Sequence, residues 1–184
     1  MLAKHHPSGL PPIPIEEILE FGYQISVIPI PDLQRVHEIE AFTSKNLRTV
    51  MVDQSVMTAK SSFRYRFSLA HELGHIVLHA DDIAAVQFST AQEWKQAIQQ
   101  MSEEDRQAFE WQGYTFAGLI LVPRDPLRES IERAVEMAKA QGIDVRMRPE
   151  QAKAYLCAWI GKLFEVSAPV IEKRMAADGL WPPK

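Results

Sequence analysis

Apolar residues are arranged differently in the first third of the chain and in the remainder. We expect residues 1–14 to be an extended, proline-rich lead-in. Residues 23–31 and 47–54 alternate in the way that is typical of β-strands. Beyond residue 90 the apolar residues recur at helical spacing, and residues 124–184 form a helical C-terminal part. Strands followed by helices predict an α+β fold, which we assign to one domain of residues 1–184.

Breaks in the helical pattern divide the second part of the chain. Ser102 and Asp105 have the spacing of a capping box at the start of a long helix, which Pro123 ends. Residues 81–90 show no period and are predicted to be a loop, and residues 38–46 are ambiguous, with a strand leading to a turn as one reading. The pattern predicts helices at 15–22, 61–80, 91–101, 103–121, 125–142, 148–166 and 167–179.

The segment SSFRYRFSLAHELGHIVLHA, residues 61–80, carries the candidate chemistry. It is apolar around much of its circumference, so we expect a central helix. His71 and His75 lie on one face, about 6 Å apart along the axis, so both imidazoles can reach one Zn²⁺ ion. Glu72 follows the first histidine, as in the pattern H-E-x-x-H, and can act as general base and then general acid on a water molecule.

His79 is a less suitable third ligand than its position suggests. It lies two helical turns beyond His71, so its ring would have to reach back about 6 Å along the axis. The zinc peptidase pattern with a third histidine places glycine and histidine where this chain has Leu78 and Asp81. We therefore expect His79 to contact a ligand, cap the helix or face the substrate.

A carboxylate from another helix is the expected third ligand. Glu103, Glu104 and Asp105 lie in a first helical turn, where acidic residues are common because they complement the helix dipole. Glu110 lies deeper in its helix, between Phe109 and Trp111. An acid in that position is harder to explain as a solvent-facing residue, so Glu110 is favoured over the other three.

Composition and charge exclude several classes of function. The net charge is −4 and no long basic run exists, which disfavours direct binding of nucleic acid. One cysteine, Cys157, in an apolar helical pattern, excludes an internal disulfide and favours a reducing compartment. No apolar stretch approaches the roughly 18 residues of a membrane span, and we expect a cytoplasmic protein.

Taken together, these segments resemble the ImmA/IrrE-type metallopeptidases, which are compact gluzincins with a zincin-like fold. RYRFSLAHELGHIVLH is similar to the active-site helix of that family, and EWQGYTFAGLILVP to its second-helix pattern E-x-E-A-N-x-F-A-x-x-L-L-x-P. The resemblance spans almost the whole chain. It implies a small N-terminal sheet packed on the active-site helix, one Zn²⁺ per chain, and Glu110 as the third ligand.

The resemblance also implies a function and a partner. Members of that family are zinc endopeptidases that cut a separate helix-turn-helix repressor and so regulate transcription of mobile-element or stress-response genes. Gly113 and Tyr114 replace the usual Ala-Asn pair, and Tyr114, four residues after Glu110, is on the same face and can donate a hydrogen bond to substrate or simply pack. The alternative from another class is a non-catalytic zinc module that regulates a transcription factor or toxin–antitoxin partner by binding. The oligomeric state is not predicted.

Overall fold

The computed structural model describes residues 2–59 and 63–182 and divides the chain into two compact units. One unit is Pro14–Ala117, and the other comprises the described residues of 1–13 and 118–184. Every candidate site residue predicted above falls in Pro14–Ala117. The predicted start of the central helix, residues 61–62, lies outside the described residues.

A three-stranded mixed sheet forms one side of the first unit. The strands are β1 (Ser26–Ile30), β2 (Ala41–Thr43) and β3 (Thr49–Asp53), in the order β1-β3-β2. β1 pairs with β3 in parallel and β2 pairs with β3 in antiparallel orientation. Pro29 is accommodated because β1 is an edge strand, as the two prolines of this segment predict.

Helices make up most of the remainder, which confirms the predicted fold class of a small N-terminal sheet followed by helices. A π-helical turn at Ile18–Gly22 continues the second helix. The helices of the described chain are α1 (Leu2–His5), α2 (Ile15–Glu17), α3 (Leu33–His37), α4 (Gln54–Thr58), α5 (Phe63–Leu78), α6 (Ala80–Ala85), α7 (Ala91–Gln100), α8 (Glu103–Leu121), α9 (Arg124–Ala140), α10 (Pro149–Phe164) and α11 (Ala168–Ala177).

The central helix α5 packs against β2 and α2. Leu69, Ala70 and Leu73 are fully buried, so one face of the helix is fixed by the burial of apolar surface. Tyr65 adds a polar tie, because its hydroxyl donates to Glu16 at 2.6 Å. This anchoring determines where the histidines that follow on the same helix point.

The segment between α5 and α8 is more ordered than its sequence predicts. The expected loop at 81–90 is wrong over its first half, because α6 begins directly after His79. Asp81 and Asp82 occupy its first turn, where they complement the helix dipole, and Ile83 is buried. Six residues with one buried side chain give too short a pattern for a helical period to be read. The segment supplies much of a buried cluster that contains Leu33, Phe42, Ile83, Phe88, Trp94 and Phe109.

The start of α8 forms one half of the capping box predicted from the sequence. The Asp105 N–H donates to the Ser102 hydroxyl oxygen at 3.0 Å, and that hydroxyl donates to the Asp105 carboxylate at 2.6 Å. The first of these bonds satisfies one backbone donor that the first helical turn would leave unpaired, and the second orients the hydroxyl. The long helix therefore has a defined N-terminus two turns before Glu110.

In the second unit, α10 packs against α9 and α11. The turn between α10 and α11 requires Gly161, because a Cβ atom there would lie 2.7 Å from the carbonyl oxygen of Val166. Cys157 is buried, as its apolar surroundings predict. Within residues 2–59 and 63–182 no single helix has both the length and the apolar composition to cross a membrane, although α10 and α11, bent by 107°, meet these conditions as a pair.

Candidate active site

Two helices bring the predicted metal ligands together. His71 and His75 lie on successive turns of α5, and their Nε2 atoms are 2.8 Å apart. Glu110 reaches them from α8, with its Oε2 atom 3.3 Å from His71 Nε2. All three residues offer ligand atoms within 4.8 Å of one another. Around a tetrahedral zinc ion with bonds of about 2.0–2.1 Å, ligand atoms stand about 3.3 Å apart, so this arrangement fits a metal with only a small separation of the imidazoles.

The burial of the three ligands is unequal. The side chain of His71 is 12% exposed, whereas that of Glu110 is 39% exposed and forms the open side of the site. The sequence argument placed Glu110 away from solvent, but its side chain is partly exposed and its neighbour Trp111 is 65% exposed, whereas Phe109 is buried. Glu110 therefore leaves room beside the ligands for a substrate.

The electrostatic surroundings favour a cation between the imidazoles. Burial lowers the pKa of His75 to about 2, with further contributions from His71 and His79, so this ring is neutral and retains a lone pair for a metal. Burial also lowers the pKa of His71, but its hydrogen bond to Glu110 and the charges of Glu72, Glu110 and Glu40 outweigh burial and raise the pKa overall. The same negative charges that hold a proton on His71 would attract a divalent metal.

Glu72 lies one residue from the first ligand and is held in place by β2. It is only 5% exposed, and the Thr43 hydroxyl donates to its Oε2 atom at 2.8 Å. Burial raises the pKa of Glu72, while the charge of His71 and the hydroxyl and N–H of Thr43 act in the opposite direction. A carboxyl group with a raised pKa beside two metal ligands has the properties of a general base that later becomes a general acid.

Glycine allows α8 to lie directly against the imidazoles. A Cβ atom at Gly113 would stand 2.8 Å from His71 Cε1 and 2.9 Å from His75 Cε1. On the facing helix, a Cβ at Gly74 would lie 3.0 Å from the Cβ of Phe116. Sequence reasoning noted Gly113 only as a departure from a pattern. The signal it overlooked is a glycine three residues after Glu110, on the same helical face.

The two residues predicted to act beside the ligands are both near the site. Tyr114 has its ring centroid 4.5 Å from that of His71 and 6.1 Å from that of Phe67, and it is 56% exposed. Burial and the charges of Glu110, Glu40 and Glu72 raise the pKa of Tyr114, so its phenol remains a hydrogen-bond donor. His79 contacts His75 and Gln112, and it gives no side-chain cap to α6.

Comparison with known families identifies the same two helices. The profile of the IrrE N-terminal-like domain, peptidase family M78, matches residues 56–176, about two thirds of the chain. The chain belongs to this family. The match includes α5 and α8, which makes the chain a metallopeptidase of family M78 with a metal site of His71, His75 and Glu110. No curated protein and no solved structure gives a significant match.

Replacing Glu110 with alanine tests the composition of the metal site. The affinity for Zn²⁺, measured by competition with a chromogenic chelator, should fall by about 100-fold or more, because loss of partners outside the ligand set alone typically costs 10–100-fold. Glu104→Ala, on the exposed first turn of α8, is the matched control and should bind like the parent. Parental affinity in Glu110→Ala would show that another residue is the third ligand.

Proposed function

We propose that this chain is a zinc-dependent endopeptidase in which His71, His75 and Glu110 hold one Zn²⁺ ion and Glu72 is the catalytic base. The carrying observation is the convergence of three ligand atoms next to a buried glutamate that Thr43 holds in place. Two imidazoles and one carboxylate are a ligand set of catalytic zinc sites, which keep a fourth position open. When bound, Zn²⁺ supplies Lewis-acid chemistry, since it lowers the pKa of water and polarises a carbonyl group.

Glu72 and Tyr114, which lie beside the metal site, have different roles in the proposed reaction. Glu72 takes a proton from the attacking water and passes it to the nitrogen of the leaving amine. Its raised pKa supports both steps, because the group can be protonated and deprotonated closer to neutral pH. Tyr114, exposed and protonated beside His71, is in position to donate a hydrogen bond to the carbonyl oxygen as it gains negative charge.

The edge of the sheet offers a place for an extended substrate. β2 is an edge strand, and Ser44 and Glu40 form its backbone hydrogen bonds towards β3. Because the bonds alternate along an antiparallel pair, the backbone groups of Ala41 and Thr43 face the other way, towards the side of Glu72, and the N–H of Thr43 is already bonded to Glu72. A peptide added to this edge would run beside the metal site and would pair with the backbone of Ala41, through main-chain hydrogen bonds that do not depend on its sequence.

A cavity beside β2 can accept one side chain of such a peptide. Its volume is about 420 Å³, and apolar rings and a thioether form part of its wall, with an ammonium group at the rim. It is lined by Phe42, Ser44, Lys45, Asn46, Met51, Phe88 and Ser89. This composition favours an apolar substrate side chain.

The substrate that we propose is a separate helix-turn-helix repressor, whose cleavage would release transcription of the genes it controls. The net charge of −4 disfavours direct contact of this chain with DNA, so control of transcription would pass through a DNA-binding protein. The resemblance to ImmA/IrrE-type peptidases supports this class of substrate. Regulation by binding alone is the alternative outcome of the experiment that follows.

Replacing Glu72 with glutamine separates catalysis from metal binding. The Glu72→Gln variant should bind Zn²⁺ like the parent and cleave about 10²–10⁴-fold more slowly, the usual contribution of a general base. Cleavage of fluorescein-labelled casein, and of purified helix-turn-helix repressors from the same genome, gives the rates. Glu104→Gln makes the same chemical change on the exposed start of α8 and should retain full activity.

The two proposals respond differently to this variant. Equal cleavage by parent and Glu72→Gln would contradict the role of Glu72. A zinc-bound Glu72→Gln variant that still regulates its partner in cells as the parent does would favour the non-catalytic module instead.

Replacing Thr43 with valine tests how Glu72 is tuned. Loss of the hydroxyl donor leaves burial less opposed, so the pKa of Glu72 should rise further and the acid limb of the pH–rate profile should move to higher pH. Zinc affinity should not change, because Thr43 contacts the glutamate and not a ligand. Thr58→Val, which removes an exposed helical hydroxyl, is the control. An acid limb at the parental position would contradict the account.

A further inference from the structure

His79 is a buried polar residue with both ring nitrogens paired. It is 7% exposed; its Nδ1 atom lies 3.0 Å from Nδ1 of His75 and its Nε2 atom lies 2.7 Å from Oε1 of Gln112. The contacts thus form a chain from a metal ligand on α5, through His79, to a side chain on α8. Among the described residues, His79 is not part of the cluster of His71, His75 and Glu110 that could hold a metal.

The requirement that His75 bind a metal through Nε2 fixes the position of each hydrogen on the rings of His75 and His79. Nε2 of His75 faces Nε2 of His71, so it must be free of hydrogen to bind a metal, and the hydrogen of neutral His75 then sits on Nδ1. That N–H donates to Nδ1 of His79, which must accept. The hydrogen of His79 is therefore on Nε2, where it donates to the Gln112 carbonyl oxygen.

We propose that His79 and Gln112 are positioning residues, which hold His75 in the tautomer and orientation that bind the metal. The inference rests on the proposed function in one respect, namely that Zn²⁺ occupies the site. Outer partners of this kind commonly fix the ring of a ligating histidine and raise its basicity. Here the partner is a second histidine on the next helical turn, reached because the His79 N–H still bonds to the His75 carbonyl at 2.8 Å.

Packing holds the two rings in register. Phe109 stacks on His75 with centroids 4.1 Å apart and on His79 with centroids 4.3 Å apart, at interplanar angles of 14° and 26°. Phe109 is itself buried in the cluster that includes Trp94. One aromatic ring therefore covers both imidazoles, so that rotation of either ring would disrupt the stack.

The other histidine ligand lacks this support. Nδ1 of His71 is buried and has no hydrogen-bond partner among the residues that the structure describes. Its ring is placed by Tyr114 and by the backbone at Gly113. The hydrogen bond from Nδ1 to His79 is therefore specific to His75, whereas His71 is positioned by Glu110 and Tyr114.

Two substitutions at His79 distinguish hydrogen bonding from packing. His79→Phe keeps a ring for the stack on Phe109 but has no acceptor, whereas His79→Asn loses the ring and keeps an acceptor near the position of Nδ1. If the proposal holds, Zn²⁺ affinity falls about 10–100-fold in His79→Phe and by only about threefold in His79→Asn. The opposite order would overturn it, because it would show that His79 acts by packing alone. Thermal unfolding with a chelator present checks that both variants fold.

The tautomers can be observed directly in the parent protein. In the zinc-loaded chain, ¹⁵N NMR of the histidine rings should show hydrogen on Nδ1 of His75 and on Nε2 of His79. Hydrogen on Nδ1 of His79 would overturn the proposal even if neither variant folds. Gln112→Met should leave this tautomer in place and speed solvent exchange of the His79 ring N–H. Unchanged exchange would show that Gln112 does not hold the ring of His79.

The Zn²⁺ affinities of the parent and of His79→Phe test the positioning role of His79 separately from the proposed function. A parent chain that binds no Zn²⁺ would overturn the proposed function together with the positioning role of His79 and Gln112. If the parent and His79→Phe bind Zn²⁺ equally tightly, the positioning role of His79 is wrong and the endopeptidase proposal is unaffected.

Discussion

The metal site depends on how closely the backbone of α8 approaches α5. Glu110 can reach the imidazoles because Gly113 and Gly74 have no side chain at the contact, so that the helices meet against His71, His75 and Phe116. Two histidines at i and i+4 define only half of a site, since both belong to one helix. The remaining ligand is supplied by helix packing, which makes metal binding a consequence of the fold of this unit.

Burial without adequate partners would make such a cluster of polar groups costly, and the structure shows how the cost is met. Glu72 has the hydroxyl of Thr43, His75 has His79, and His79 has Gln112. These bonds leave the metal-facing nitrogens of the two ligands pointing at each other. A cation between these two nitrogens would be stabilised by their lone pairs and by the negative charges of the acids around His71.

The sequence predicts what lies within one element better than what lies between elements. The strands β1 and β3, the central helix and the His71–His75 pair follow from local periods, whereas the segment of β2 was ambiguous. Glu110 follows from its place in a second helix. Thr43 lies 29 residues from Glu72, and Gln112 lies 33 residues from His79, so no local spacing links either pair. The short helices α1, α3, α4 and α6 were not predicted, because four to six residues cannot display a helical period, and α1 lies in the segment that was expected to be extended.

X-ray absorption at the zinc edge of the metal-loaded protein tests the central claim most directly. Two imidazoles and one carboxylate predict a first shell of nitrogen and oxygen at about 2.0–2.1 Å, with the multiple-scattering signal of two imidazole rings. A signal of three imidazoles would place His79 on the metal and contradict the site. A sulfur ligand at about 2.3 Å would contradict it as well.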